Sequence, residues 1–236
     1  MLRLENATLN IDGVSILDAI DLHVGPQESL GLIGPNGSGK SSLLNVITGI
    51  YPVTQGRVLV DGFDVTGLDP HEIVARGVAR TAQTTRLFER LSVIDNIRAV
   101  KGGNRQAAEA LLEQVELIDH RYMLAGALSF AQRRRLDLGR ALMLQPSLLL
   151  LDEPAAALTD SETEAMADLI ATVAAPGRAL IVIEHKIRLV AALCPRVAVL
   201  NVGRKVAEGT PAQIVENELV QSIYFGAEEH THAPSS

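Results

Sequence analysis

Gly34-Pro35-Asn36-Gly37-Ser38-Gly39-Lys40-Ser41, continued by Ser42-Leu43-Leu44, is the stretch that decides the fold. It fits the pattern G-x-x-x-x-G-K-[ST]. Glycine at 34, 37 and 39 permits backbone angles that aim successive N–H groups inward, a nest for phosphate oxygens. The apolar run before it, Ser29–Ile33, predicts a strand. Residues from about Lys40 to Thr48, stopped by Gly49, predict a helix whose positive N-terminal dipole faces the same phosphates. Lys40 is expected to reach the β- and γ-phosphates, and Ser41 to offer its hydroxyl to Mg2+. Gly34, Pro35, Asn36, Gly37, Ser38, Gly39, Lys40, Ser41 and Ser42 thus form an expected site for ATP with Mg2+. Only four lysines occur in the chain, and one stands where the pattern demands it.

Working outward, residues 2–11 and 16–24 predict two strands separated by the turn signal Asp12-Gly13. Thr54–Val60 with Asp61-Gly62 predicts another. From about 84 to 141 strand signals fade. Gln106–Val115 keeps Ala107, Ala110, Leu111, Leu112 and Val115 near one helical face, and Ser129–Leu144 predicts a second helix stopped before Pro146. Strand-like and helical segments then alternate: Leu148–Leu151, Asp160–Val173, Ala179–Ile183, Lys186–Leu193 and Val197–Leu200, with one more strand at Arg204–Glu208. Such alternation marks an α/β fold with a mostly parallel sheet and crossover helices. A helical insertion, at about 84–141, interrupts it. The tail from about 226 to 236 is polar and is expected to be loose. No internal repeat is present.

Leu148–Leu151 runs straight into Asp152-Glu153-Pro154. A continuous apolar strand is the pattern of a parallel strand buried on both faces. Ligands in such sheets bind at the carboxyl ends of strands. Asp152 is therefore placed to hold Mg2+, through water, and Glu153 to polarise an attacking water as general base.

The 236 residues suit a single α/β unit, and 47% hydrophobic content supplies a core that Leu, Val, Ile and Ala must fill, since aromatics are 3% with no Trp. A net charge of −7 argues against a general nucleic-acid binder. The single cysteine, Cys194, excludes a disulfide framework or a cysteine-based metal cluster. The start, MLRLENATLNIDG, lacks the apolar core of a signal peptide. No apolar run approaches the ~20 residues of a membrane span. The chain is expected to be soluble and intracellular, with any membrane role exerted through a partner.

Five motifs in order carry a family resemblance: GPNGSGKS at 34–41, Gln83 in RTAQTTRLF, LSFAQRRR at 128–135, LLLLDEP at 148–154, and His185 in IVIEH. Across about Leu2 to Phe225 the chain resembles the ATP-binding subunits of ABC transporters. GVARTAQTTRLFERLSVIDNI, LLLLDEPAAAL, IEHKIRLV and GRKVAEGTP resemble most the ATPases of branched-chain amino-acid importers, and also those of urea and short-chain amide importers. The resemblance implies a P-loop NTPase core with an antiparallel β subdomain and a helical subdomain, all one domain over 1–236. It implies two ATPase chains head to tail, with ATP between the phosphate loop of one and the signature of the other. Glu153, His185 and Gln83 would be catalytic, and Ser41, Gln83 and Asp152 would hold the metal. His185 would contact the γ-phosphate in cis. Ser129, Phe130, Ala131 and Gln132 would contact ATP in trans. The implied partners are a second ATPase chain, membrane permease subunits that Gln83 and its following segment would address, and indirectly a periplasmic binding protein, with the chain on the cytoplasmic face of the inner membrane. The lipopolysaccharide-export ATPase, a soluble ABC-type ATPase and a non-hydrolysing regulatory subunit stay open as alternatives.

The chain departs from that family's pattern at identifiable places. Leu128–Gln132 stands where LSGGQ is usual; a methyl at Ala131 lies where backbone approaches phosphate, and alanine restricts positive φ. Ile11 stands where an aromatic usually stacks on adenine, so weaker or less base-selective binding is expected. Thr159 replaces the usual aspartate of the loop after the catalytic glutamate, and Lys186 follows His185 where an acid is frequent, with no sequence-level account. Thr159 and Glu162 also satisfy a capping box, Ser129 an N-cap, and Arg133–Arg135 a solvated face. The cis machinery is intact and the trans element altered. The expected assembly is therefore a heterodimer in which this chain's own ATP is hydrolysed well and the site completed by its signature is slower. The transported substrate is not legible, because substrate contacts belong to the membrane partners.

Overall fold

The computed structural model describes residues 1–100 and 103–228. From the N-terminus, β1 (Leu2–Ile11) and β2 (Val14–Val24) form a hairpin, and β3 (Ser29–Ile33) leads through the glycine loop into α1 (Lys40–Ile47). Next come β4 (Gln55–Val60), β5 (Phe63–Asp64), α2 (Pro70–Ala75) and β6 (Val78–Arg80). The middle of the chain is helical: α3 (Val93–Arg98), α4 (Arg105–Gln114) and α5 (Phe130–Met143). Strand and helix then alternate through β7 (Leu148–Asp152), α6 (Asp160–Leu169), β8 (Ala179–Ile183), α7 (Ile187–Leu193) and β9 (Arg196–Asn201). The chain continues with β10 (Arg204–Gly209), α8 (Pro211–Glu216) and α9 (Glu218–Glu228).

Two sheets result. β2-β1-β4-β5 is antiparallel, and the larger sheet runs β10-β9-β3-β8-β7-β6 with every pairing from β9 to β6 parallel. The period of two along the central strands separates two cores. Leu148 and Leu150 of β7, with Ala179, Ile181 and Ile183 of β8, face one side, against Leu43, Leu44 and Ile47 of α1 and the inner face of the antiparallel sheet. Leu149, Leu151, Leu180 and Val182 face the other, in one core with Ile97, Leu112, Leu136 and Leu142 of the helical insertion. Every residue of β7 and β8 is buried, which is why both read as unbroken apolar runs. Each fully buried leucine or isoleucine contributes about 1.5–3 kcal/mol relative to exposure.

Several elements differ from expectation. β6 is three residues long and ends in a charge, too short to announce itself, yet it pairs in parallel with β7 through Val78 and Leu148. α2 did carry a signal, the capping box Asp69-Pro70-His71-Glu72. The expected loose tail begins too early: α9 remains helical through Glu228, and residues 229–236 lie outside the described residues. No helix among the described residues is long and apolar enough to cross a membrane.

Candidate functional site

Parallel pairing brings the carboxyl ends of β3, β8, β7 and β6 to one edge of the sheet, in that spatial order. From them emerge, side by side, the glycine loop, His185, Asp152-Glu153, and the segment Thr81–Gln83. Sites in open parallel sheets form at such edges.

The loop is built as its glycines require. Gly34, Gly37 and Gly39 all have positive φ, and a Cβ on Gly34 would lie 2.1 Å from the Leu200 carbonyl oxygen. The Lys40 side chain is buried and folds back, its Nζ donating to the carbonyls of Gly34 at 2.8 Å and Pro35 at 3.0 Å. Burial pushes the Lys40 ammonium below its ordinary value, against the charges of Glu153 and Asp152, which hold it up. Ser38 Oγ is buried without a partner. Ser41 is exposed at the head of α1, with Ser42 half-buried behind it.

Asp152 is buried at the end of β7. Its Oδ2 accepts from Arg80 Nη2 at 2.7 Å, Arg80 Nη1 donates to Asn45 Oδ1 at 2.7 Å, and Asp152 Oδ1 has no partner. A buried carboxylate oxygen left unpaired costs stability unless something else takes it up. The unpaired oxygen and the exposed Ser41 hydroxyl are hard donors of the kind Mg2+ takes. No cluster of three or more His, Cys, Asp or Glu that would cage a metal occurs among the described residues. The donor set therefore suits an ion that arrives with phosphates rather than one held by protein alone. Gln83 is exposed, two residues beyond Thr81, whose hydroxyl accepts from the Asp152 N–H at 3.2 Å.

Glu153 takes φ +49°, a left-handed conformation uncommon for a side-chain-bearing residue and a form of strain that clusters at working sites. Its N–H donates to the Ile183 carbonyl at 2.9 Å, and its carboxylate Oε1 lies 3.1 Å from His185 Nε2. The two residues expected to act on the γ-phosphate are thus already in contact.

Ser129 caps α5: its Oγ accepts from the Gln132 N–H, and Gln132 Oε1 accepts from the Ser129 N–H at 3.0 Å. Gln132 Nε2 further meets His120 Nε2 at 3.0 Å. These side chains bond among themselves and to His120, in the helical part, and not to the phosphate loop of the same chain. Ala131 sits in the first turn of α5 and is not among the positive-φ residues. The expectation of backbone strain at Ala131 is therefore corrected; glycine is not required there conformationally, and only the bulk of the methyl remains. Arg133–Arg135 are not a solvated face either. Arg134 is buried, with its guanidinium 5.1 Å from the Phe130 ring centre. Its Nη1 donates to the Ala82 carbonyl at 3.2 Å while Asp137 Oδ2 accepts from the Ala82 N–H at 3.1 Å. Two side chains one turn apart on α5 thereby grip the peptide next to Gln83. Burial pushes the Arg134 guanidinium down and the Asp137 carboxyl up.

Ile11 pairs with Val14 at the tip of the β1–β2 hairpin, and both are exposed. Farther along β2, the Ile16 carbonyl oxygen lies 3.2 Å from where a Gly39 Cβ would be, so this hairpin abuts the phosphate loop. Thr159 caps α6 in the expected box with Glu162. Lys186, without an account from sequence, gains one: its Nζ donates to the Leu158 carbonyl at 2.9 Å and the Thr163 hydroxyl at 2.6 Å. It straps the segment after Glu153 to the segment after His185. Lys186→Met is expected to destabilise the chain by about 1.5–3 kcal/mol, the range for hydrogen bonds to a charged donor. Thermal unfolding of the purified variant checks this, and an unchanged midpoint would refute the strap. Cys194 is buried and burial pushes its thiol up to about 12, so it takes no part.

Arg80, Glu184, Arg134, Asp137 and His120 were missed in sequence. Glu184 alone left a signal, an acid directly after the apolar run Ala179–Ile183.

A P-loop NTPase core with a helical insertion, an antiparallel sheet and this edge of loop, acids and histidine defines the ATP-binding cassette class of ATPase. The family model described as ABC transporter matches residues 17–156, and one described as branched-chain amino acid ATP-binding cassette transporter matches residues 204–230. The chain belongs to the ABC transporter family. It is 33% identical to the high-affinity branched-chain amino acid transport ATP-binding protein BraF of Pseudomonas aeruginosa, over 96% of this chain and 98% of BraF. LivG of Escherichia coli strain K12, described in the same words, is 34% identical over the same shares. The lipopolysaccharide export system ATP-binding protein LptB of Escherichia coli strain K12 is 30% identical over 95% of this chain and 97% of LptB. Among solved structures, the ADP conformation of MJ1267, an ATP-binding cassette of an ABC transporter, superposes with a TM-score of 0.88 at 29% identity, covering 96% of this chain and 98% of that one. A dimeric post-hydrolysis state of the cassette MJ0796 with ADP and Pi superposes at 0.79 with 25% identity, covering 89% and 99%.

Proposed function

We propose that this chain is the ATP-hydrolysing subunit of an importer for branched-chain amino acids or related small amides, working at the cytoplasmic face of the inner membrane. The Glu153–His185 contact beside the glycine loop supports the hydrolytic half of that reading. The match of residues 204–230 supports the substrate half.

In this reading Lys40 turns from the Gly34 and Pro35 carbonyls to the β- and γ-phosphates, while loop N–H groups and the head of α1 take the remaining oxygens. Asp152, Ser41 and Gln83 hold Mg2+, which neutralises phosphate charge when bound. Glu153 accepts the proton of the attacking water at its carboxylate, and His185 orients that carboxylate and the γ-phosphate. Ile11 offers an apolar contact to the base. Ser129, Phe130, Ala131 and Gln132 complete the site of a second ATPase chain.

The membrane partner's face is the exposed apolar patch of Phe88, Leu91, Tyr122, Met123 and Leu124. Backbone bonds zip its two segments together, from Val93 N–H to the Met123 carbonyl and from Ala125 N–H to the Leu91 carbonyl. A contiguous exposed patch of this kind marks an interaction surface. The grip of Arg134 and Asp137 on Ala82 ties α5 to the peptide next to Gln83.

In the source cell, replacing the chain with its Glu153→Gln form is expected to abolish ATP-driven uptake of radiolabelled leucine, isoleucine and valine. Unchanged uptake would overturn the substrate class. Lipopolysaccharide failing to reach the surface instead would favour the export reading that the 30% match to LptB keeps open.

The partner chain is proposed to differ from this one. Ala131→Gly is expected to raise turnover at the partner's site several-fold, at a cost of about 1 kcal/mol in helix stability. Site-resolved turnover in the assembled dimer measures it, and no gain at that site would remove the argument for unequal sites.

A further inference from the structure

Glu184 lies between the two segments that carry the proposed chemistry. It is 2% exposed, directly after β8 and directly before His185. Burying a carboxylate is costly unless its oxygens are satisfied. Here they are satisfied by backbone alone. Oε1 accepts from the Ala155 N–H at 2.9 Å, and Oε2 from the N–H groups of His185 at 2.9 Å and Lys186 at 3.2 Å. One oxygen thus binds the turn that follows Glu153, and the other the turn that carries His185.

We propose that Glu184 is a positioning residue that clasps these two turns together and so sets the separation of Glu153 and His185, resting on the roles proposed for that pair above. The same turns are tied at a second place by Lys186 and, within the sheet, by the Glu153 N–H to the Ile183 carbonyl. Of these three ties, the Glu184 clasp is the one that joins the peptide of Ala155 to the peptide of His185 itself. Charge-assisted bonds from three N–H groups to one carboxylate also fix its rotamer.

Glu184→Gln is the discriminating change because it keeps the shape and removes one acceptor. The amide has one oxygen, so whichever way it turns its NH2 group opposes an N–H donor and one turn is released. A displacement on the order of 1 Å at a reacting group costs about 100-fold in rate. The expected result for the purified full-length variant is an ATPase kcat lowered about 10- to 100-fold with ATP dissociation constant within about threefold of wild type. Amide exchange should rise in both peptides, 153–158 and 184–188. Glu184→Asp, whose shorter arm cannot span both turns, should show the same split more mildly. The proposal is overturned by a kcat within about threefold of wild type. A loss of ATP affinity matching the loss of kcat overturns it too, as does faster exchange in only one turn, or failure of both variants to fold. The exchange result does not depend on the chemistry assigned to Glu153 and His185. If Glu153→Gln and His185→Ala leave turnover intact while Glu184→Gln still frees both turns, the clasp stands and the catalytic roles fall.

Discussion

Lys40→Ala is expected to abolish ATP hydrolysis and to weaken ATP binding severely. The Lys40 side chain is buried and supplies the charged donor of the loop, bound to the Gly34 and Pro35 carbonyls. Its removal takes the ammonium from the Gly34 carbonyl, leaves the Pro35 carbonyl with the Ser38 N–H, and takes a positive charge from a site flanked by Asp152 and Glu153. Loss of a single neutral donor aimed at developing charge costs about 100- to 1,000-fold in rate. Loss of a buried ammonium against polyphosphate should cost at least about 1,000-fold in kcat/KM. Lys40→Arg should recover little, because the planar guanidinium does not fit the space that the folded-back ammonium fills. Steady-state ATPase assays with equilibrium ATP titration check both. Activity of Lys40→Ala within about tenfold of wild type would mean that phosphate is bound elsewhere.

Glu153→Gln should separate binding from chemistry. The amide keeps length and still hydrogen-bonds His185 Nε2, so the contact at 3.1 Å and the left-handed backbone at +49° can both persist. What disappears, on the role proposed for Glu153, is the acceptor for the proton of the attacking water. General-base contributions run to about 100- to 10,000-fold, and kcat should fall by that order while ATP affinity holds. Because the chain belongs to a family with dimeric cassettes, an ATP-bound pair that cannot hydrolyse should accumulate. Gel filtration in ATP and in ADP reads this directly. Turnover within about threefold of wild type would remove Glu153 as base, and an undiminished kcat with lost binding would assign it to nucleotide affinity instead.

The residues legible in the sequence are those whose chemistry is local. Gly34, Gly37, Gly39, Lys40 and Ser41 act within eight consecutive positions, so their spacing states their geometry. The N-cap at Ser129 and the capping box at Thr159 depend on neighbours within four residues and form as expected, and Gln132 completes a box at Ser129 as well. The supporting residues were not legible because their partners are distant along the chain. Arg80 reaches Asp152 across 72 positions, Arg134 and Asp137 reach Ala82 across 52 and 55, and Glu184 reaches Ala155 across 29. Arg134 shows the limit well. A run of three arginines on a helix reads as solvated, and only the packing of α5 against the Ala82 segment buries the middle one.

By itself the sequence determined that this chain has a phosphate loop after a strand, acids at the end of a doubly buried strand, and a helical insertion between them. Glycine conformations, the period of two and helix capping are all set by neighbours in the chain. The tertiary structure alone decided that β8 lies between β3 and β7, which sets His185 between the loop and the acids and in contact with Glu153. Strand order depends on which apolar faces bury together across the whole molecule, and alternation along one strand is compatible with many orders. It also decided that Asp152 is neutralised by Arg80 and that Glu184 is spent on backbone. A buried charge takes its partner from whatever the fold brings within about 3 Å, and no spacing in the sequence specifies that.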